Sequence, residues 1–351
     1  MTGKKMCIIT LCITLVLLLV IGGITVVLDP LFHYHGPWDW QSYRLYNHRY
    51  QNDGISRHFE YDAIITGTSM TENFMSSECD ALFGVNSIKI PFSGASYKEL
   101  NDAIVRAIDY NPQLTTVFRG VDLGRLFSDK DYMRYESYPD YLYDNDLLND
   151  VNYLFNKDIF VEHILTAVEF DINSDTSYTF DRYSNWNDKF TYCKASVLAS
   201  YERPEATGKI RDFSESDERT IRGNIEQNVT DTIAANPQIE FYLFISPYSV
   251  VYWDSLHQTG DIQRFIDALD VAIEMMLQYD NVHLFSFLDA FEIVSDLNLY
   301  HDTQHYHQDV NSLMLKWMYA GEHALTPENY KDHLQALSDY YTTYPYETIF
   351  E

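Results

Sequence analysis

Positive charge is scarce in this chain of 351 residues: 24 Lys and Arg stand against 52 Asp and Glu, a formal net charge of −28. Nucleic acid and anionic lipid surfaces recruit proteins through a basic face, so nucleic acid is not an expected partner. Cysteine is scarce too. Of four, Cys7 and Cys12 lie in an apolar run, leaving Cys79 and Cys193. An oxidising compartment would let these two pair, although spacing does not bring their Cα atoms within bonding reach. There is no glycine-rich phosphate loop, no dinucleotide fingerprint and no HExxH or paired Cys/His ligand spacing. No cofactor or metal is therefore expected. Internal repeats and low-complexity tracts are also missing.

One long apolar run stands out. Met6 to Val27 has no charged residue and is dominated by Ile, Leu and Val. As a helix it rises roughly 33 Å, matching a bilayer's hydrocarbon thickness. Lys4 and Lys5 precede it and Asp29 is the first charge after it. This asymmetry predicts a cytoplasmic N-terminus and an extracellular remainder. The run exceeds the ~7–15 residues of a signal-peptide core and no A-x-A-like site follows, so it reads as an uncleaved signal anchor. Without Lys4 and Lys5 the remainder carries about −30. Such acidity suits a soluble, self-repelling surface; attraction of cationic groups or a basic partner is the narrower alternative.

The predicted organisation has three parts. Residues 1–28 are a cytoplasmic stub and transmembrane anchor. Residues 29–58, opening with Asp29-Pro-Leu-Phe-His-Tyr-His-Gly-Pro37, are an aromatic extracytoplasmic linker in which His33 and His35 pack on aromatics. Residues 59–351 form an α/β domain. Strands are predicted at 61–66, 85–90, 115–121, 239–246 and 282–287, with helices at 69–83, 97–108, 217–235, 262–278 and 306–319 and a short one after Leu325. Alternation at this spacing predicts a parallel sheet with crossover helices. Residues 128–215, rich in Tyr, Asp and Asn, break the pattern and read as a partly helical insertion, with helix around 159–170. Asn228-Val-Thr230 fits a glycosylation sequon, a pattern frequent by chance.

The first strand runs into Gly67-Thr68-Ser69 with a helix directly after. A serine on such a turn exposes its hydroxyl at the sheet's C-terminal edge near a helix N-terminus, which favours a nucleophile and a developing anion. Ser69-Met-Thr-Glu72 is equally an S-x-x-E capping box. After the last strand comes Tyr300-His-Asp302-Thr-Gln-His305-Tyr306. Three residues of separation let the Asp302 carboxylate hold the Nδ1–H of His305, freeing Nε2 to take a hydroxyl proton. Strands that open and close the order can meet at one sheet edge, which would bring Ser69 to this pair. His301, His305 and His307 with Asp302 also invite a metal reading, which lacks a complete ligand set.

These blocks resemble the SGNH/GDSL hydrolases. Gly67-Thr68-Ser69 is similar to their nucleophile block, where Gly-Asp-Ser is more usual, and Asp302-Thr-Gln-His305 to their terminal D-x-x-H. Pro91-Phe-Ser-Gly94-Ala-Ser96 is similar to the block whose glycine N–H joins the oxyanion hole. The resemblance implies a flavodoxin-like three-layer α/β/α SGNH fold. It also implies a triad of Ser69, Asp302 and His305, with oxyanion donors at Gly94 and the Ser69 N–H. The family's Gly-x-Asn-Asp block departs here to Arg119-Gly-Val-Asp122, leaving Asp122 or Arg119 as the remaining candidates.

A narrower likeness is to SGNH-type proteins encoded beside membrane-bound O-acyltransferases in Gram-positive bacteria, among them the extracellular protein of lipoteichoic acid D-alanylation. It is carried by the single anchor, the Asp29–His35 exit, Ile245-Ser-Pro-Tyr-Ser-Val-Val-Tyr-Trp253 and His305-Tyr-His-Gln-Asp-Val-Asn311. The likeness implies transfer of an acetyl or D-alanyl group through Ser69 to a cell-surface glycan or teichoic acid. A membrane O-acyltransferase would be the partner. An esterase or deacylase, and an inert tethered scaffold with Ser69 as a helix cap, are the alternatives. The 29 tyrosines and 5 tryptophans suit sugar stacking and ordinary packing alike.

Overall fold

The computed structural model describes residues 3–135, 138–173 and 177–351. The chain divides into two compact units, Met1–Phe59 with Ser137–Thr179, and Glu60–Glu136 with Phe180–Glu351. The segment read as a linker and the middle of the segment read as an insertion thus belong to one unit. Residues 136–137 and 174–176 of that insertion lie outside the described residues.

The first unit starts with the helix Gly3–Leu28, long and apolar enough to cross a membrane. Polar contacts that no periodicity reveals explain why the following residues are not a linker. Asp29, only 1 % exposed, accepts from the backbone N–H groups of His33 (3.1 Å), Tyr34 (2.7 Å) and His35 (3.0 Å) and from the Tyr153 hydroxyl (2.7 Å). His33 Nε2 and the Tyr34 hydroxyl each meet the Asp150 carboxylate at 3.0 Å. Leu31, Leu142, Tyr153 and Ile159 form a small core there. His33 packs edge-on to Tyr153 and His35 against Trp38. The helix His48–His58, capped by Asn47, presses Gly54 onto this loop: a Cβ at Gly54 would lie 2.4 Å from the carbonyl oxygens of Leu31 and Phe32. A helical stretch runs from Ile159 to Asn173.

The second unit is an α/β fold. Its strands are β1 (Ala63–Thr66), β2 (Ser87–Lys89), β3 (Thr116–Gly120), β4 (Glu240–Ile245), β5 (Val282–Ser286) and β6 (Ala324–Leu325), in the spatial order β2-β1-β3-β4-β5-β6. The first five are parallel, each at a position read from the sequence, and β6 is antiparallel to β5. The sheet is therefore mixed rather than wholly parallel, because a two-residue strand carries no sequence period. Every residue of β1, β2 and β3 is buried, as in parallel sheets covered on both faces. Strand order reverses at β1, and open α/β sheets present their crevice at the carboxyl ends of strands flanking such a reversal.

The helices Tyr97–Tyr110, Ile262–Met276 and Gln308–Ala320 fall where expected. The predicted helix 69–83 is instead a 3₁₀ turn, Ser69–Thr71, a break, and a helix Ser76–Phe83. The helix Val250–Thr259, capped by Ser249, was not anticipated. Cys79 and Cys193 are both free thiols. Asn228 is buried with its amide bonded to Lys130 O (2.8 Å) and Asn224 Oδ1 (2.9 Å), so the sequon offers no surface for a glycan.

Replacing Asp29 by Ala strands three backbone donors and a tyrosine hydroxyl, each worth about 1–3 kcal/mol when left unpaired. In Asp29→Ala the amides of residues 33–35 should exchange with deuterium at least about 100-fold faster than in the parent, with those of β1 and β3 unchanged. Equal protection in both proteins would remove Asp29 from its organising role.

Candidate active site

The site begins at the end of β1. Gly67 holds φ +151°, and a Cβ there would come 2.5 Å from Thr71 Cγ2; at Gly120, the last residue of β3, a Cβ would come 3.0 Å from the same methyl. Two glycines thus leave room for the Thr71 side chain, whose hydroxyl donates back to Thr68 O (2.8 Å) and closes the turn. The turn leaves Ser69 half-exposed at the sheet's carboxyl edge. The capping box is not formed: Ser69 Oγ bonds to His305 instead, while genuine boxes occur at Ser96–Glu99 and Ser214–Asp217.

His305 does not reach Ser69 through neighbouring strands. β5 is separated from β1 by β3 and β4. The chain after β5 runs back across the carboxyl edge instead, as a loop bridged Tyr300 to Tyr306. The Tyr300 hydroxyl donates to Pro247 O (2.7 Å) and Ser249 Oγ to Thr303 O (2.7 Å), fixing the loop on the exit of β4. The Tyr306 hydroxyl lies 3.3 Å from Met70 O, and the Asn311 amide donates to the same oxygen at 3.1 Å. The loop is therefore pinned to the very turn that carries Ser69.

Ser69 Oγ lies 2.7 Å from His305 Nε2, and His305 Nδ1 lies 2.7 Å from Asp302 Oδ2. Asp302 Oδ1 accepts the N–H groups of Gln304 and His305, both at 2.8 Å, which locks the carboxylate in place. Burial alone would raise Asp302, but its bonds to His305 and these amides outweigh it and hold the acid down at about 2. Burial works against the His305 imidazolium, yet the bond to Asp302 and the charges of Asp302, Asp122 and Glu72 outweigh it and raise its pKa above 6.5. The arrangement can take a proton from the serine hydroxyl, hold it on the imidazole and return it to a leaving group.

The expected oxyanion residues divide. Gly94 sits at φ +67° in the turn closed by Ala95 N–H to Phe92 O (3.0 Å), a position that glycine adopts without strain. Arg125 donates to Gly94 O (2.7 Å) and the Tyr135 hydroxyl to Ser93 O (2.6 Å), which orients this turn. Among the described residues the N–H groups of Ser69 and Gly94 meet no acceptor. Asp122 is engaged differently: its carboxylate accepts the hydroxyls of Thr68 and Tyr248, so it acts as an acceptor. Arg119 is buried against Tyr97, its Nη2 3.4 Å from Tyr97 O and its guanidinium over that ring, with burial pushing it down to about 10.

Several residues at the site carry no signal of that placement in the sequence, where Glu72 reads only as part of a capping box. Trp186 stands edge-on to the His305 ring at 5.4 Å, and Phe190 stacks on His301 at 4.0 Å. Glu72 is buried beside the Ser69 turn and hydrogen-bonded to the side chains of Ser93 and Trp186; burial pushes it up to about 7 against the nearby Lys89 charge. Lys89, fully buried and donating to Glu72 O at 2.6 Å, is itself pushed down by burial to about 7. Trp186 and Phe190 come from a segment distant in sequence, where no period marks them, whereas Glu72 closes the Ser69 turn and Lys89 ends β2.

Two competing readings meet the geometry. His301, Asp302 and His305 bring ligand atoms within 4.8 Å of one another, but the two imidazoles lie parallel (10°, 5.3 Å between centroids). In-plane lone pairs of parallel, displaced rings do not converge on one ion. His307 instead caps the helix that follows it. A second Ser-His-Asp set joins Ser286, His333 and Asp289, with His333 Nε2 2.9 Å from Ser286 Oγ and His333 Nδ1 3.2 Å from Asp289 Oδ2. Ser286 is 0 % exposed and Asp289 is shared with His323, so this set ties β5 to the helix Tyr330–Thr343. Exposure separates the two constellations.

No family model, curated protein or solved structure matches this chain.

A protonated His305 has no lone pair at Nε2 for the serine proton. Labelling of Ser69 by an acylating or phosphonylating probe should therefore be lost in acid and rise through a pKa above 6.5. Asp302→Asn removes the bonded charge that most favours the imidazolium and leaves Asp122 and Glu72 alone against burial, so the rising limb should move to lower pH. The maximal rate should fall by about 10³–10⁴-fold. A pH profile unchanged in Asp302→Asn would uncouple the two residues.

Proposed function

We propose that this chain is a membrane-anchored, extracytoplasmic serine acyltransferase of the SGNH type, with Ser69 as nucleophile, His305 as general base and acid, and Asp302 as the group that orients the imidazole. The observation that carries this reading is the continuous hydrogen-bonded set Ser69–His305–Asp302 at 2.7 Å for each side-chain bond, with the serine accessible at the sheet's carboxyl edge. The strand order 2-1-3-4-5, shared with flavodoxin-like sheets, supports the three-layer SGNH architecture. The open N–H groups of Ser69 and Gly94 support a two-donor oxyanion hole in which Asp122 orders Thr68 and Tyr248. The apolar helix with Lys4 and Lys5 before it supports an anchor with a cytoplasmic N-terminus.

In the reaction, Ser69 Oγ attacks the acyl carbonyl as His305 takes its proton. The donor's leaving group departs with that proton, and the acyl-serine is then resolved by an acceptor hydroxyl deprotonated by the same imidazole. The acyl group is acetyl or D-alanyl, the acceptor a cell-surface glycan or teichoic acid, and a membrane O-acyltransferase delivers the acyl group. Water as acceptor makes the same site an esterase. Asp122, an acceptor where an oxyanion donor is expected, favours a second reading, an inert tethered scaffold.

Intact-mass analysis of the full chain after fluorophosphonate treatment tests the reading. One adduct is expected on the parent and none on Ser69→Ala or His305→Ala, with unchanged far-ultraviolet circular dichroism. Ser69 makes no cap bond, so removing its hydroxyl should alter stability by less than about 1 kcal/mol. Acyl transfer to added polysaccharide exceeding hydrolysis distinguishes transferase from esterase. A folded parent protein that takes no adduct would leave the scaffold reading.

A further inference from the structure

The first unit exposes an unusual amount of apolar side chain beyond its anchor. Leu147 and Leu148 are 75 % and 87 % exposed, and Val151, Phe155, Val161 and Leu165 are exposed as well. These residues lie in one segment, 147–165, which includes the short helix Val151–Leu154 and the helical stretch from Ile159. Apolar side chains exposed in this number within one short segment point to a binding face.

The anchor helix shows what covers it. Gly22 and Thr25 are the helix's only buried residues among those described, and they share one face of its last turns. At Gly22 a Cβ would come within 3.3 Å of the Phe155 ring. A small residue that lets another element approach this closely is the usual device for packing inside a bilayer. Gly22 lies five residues before Val27, the end of the uncharged run, so Phe155 sits about 7.5 Å below that end at ~1.5 Å per residue. The water boundary is marked independently. The last carbonyl groups of the helix meet side chains rather than solvent: His35 at Val26 O (2.8 Å), the Trp38 indole at Val27 O (2.9 Å) and the Gln41 amide at Leu28 O (2.6 Å). Trp38 and Trp40 stay exposed beside them, at the level where interfacial tryptophans gather.

We infer that segment 147–165 is seated in the outer leaflet beside the anchor helix, its partner being the lipid at the boundary of headgroups and acyl chains. The inference rests on the anchor reading above and extends it from a single span to a span with an interfacial foot. The polar residues of the segment agree with that depth. Asn152, Lys157, Asp158 and Glu162 are exposed among the apolar ones, Lys157 and Asp158 being 3.9 Å apart. An amphipathic element buried by ~5–10 Å keeps such groups within reach of the headgroups.

The test uses the full chain in vesicles of phosphatidylcholine with a minority of phosphatidylglycerol and no other protein. In a Cys7→Ser, Cys12→Ser, Cys193→Ser background, where Cys79 is buried, one fluorophore is placed through Leu148→Cys, Val151→Cys or Leu165→Cys. Leu15→Cys reports the middle of the span and Ile210→Cys, 80 % exposed, reports water. Labels at 148, 151 and 165 should be quenched at least about threefold more by nitroxide lipids than by an aqueous quencher on both sides, as at 15 and opposite to 210. Aqueous quenching at the three sites with lipid quenching at 15 overturns the inference and leaves the anchor. Aqueous quenching at 15 as well overturns both. Protection of the three sites only in native membranes, and not in these vesicles, overturns the lipid assignment and gives the face to a membrane protein.

Discussion

The missing side chain at Gly67 is the constraint from which the site follows. With φ at +151° and no Cβ in the way, Thr71 folds its methyl against Gly67 and Gly120 and its hydroxyl onto Thr68 O, and the chain leaves β1 in a 3₁₀ turn. That turn does two things. It sets the Ser69 hydroxyl at the rim of the sheet, and it presents Met70 O inward, where Tyr306 and Asn311 bind it. The loop carrying His305 is thereby fastened to the same turn as the serine, across 236 positions of sequence. An α-helix beginning directly at Ser69 would have committed that carbonyl to its own ladder.

Charge around the imidazole is arranged to favour its protonated form. Asp302 is in direct contact, and Asp122 and Glu72 add to it from the exits of β3 and β1. Each of these acids is itself constrained: Asp302 by two amides, Asp122 by two hydroxyls, Glu72 by burial with Ser93 and Trp186. Fixed dipoles and charges of this kind need no reorganisation as a proton moves, which is how a site lowers a barrier electrostatically. The buried Ser286–His333–Asp289 set has the same residue types with comparable bonding. Access, rather than residue type, separates the two sets: Ser69 is partly exposed and Ser286 is fully buried.

In the first unit a buried carboxylate organises the backbone. Asp29 gathers three successive N–H groups and a tyrosine hydroxyl directly after the apolar helix, and so converts the exit from that helix into a tight, ordered turn. Side chains of His35, Trp38 and Gln41 then satisfy the helix's terminal carbonyl groups, which otherwise need water. An ordered exit of this kind fixes where the neighbouring segment meets the helix, so the apolar helix is part of a folded unit.

The sequence by itself determined the long apolar helix, the five parallel strands and most other helices, because each has a period or a run that local physics demands. It also pointed to Ser69, Asp302 and His305, since a D-x-x-H pair and a serine after a strand are local patterns. Only the tertiary structure decided how they meet: β5 is not beside β1, and a returning loop held by Tyr300, Ser249 and Tyr306 closes the distance. It likewise decided that Asp122 accepts rather than donates, that Arg119 is spent on Tyr97, and that residues 29–58 and 137–179 form one body. These outcomes rest on hydrogen bonds between positions far apart in the chain. Such bonds impose no spacing on a sequence, whereas helices, strands and spans do.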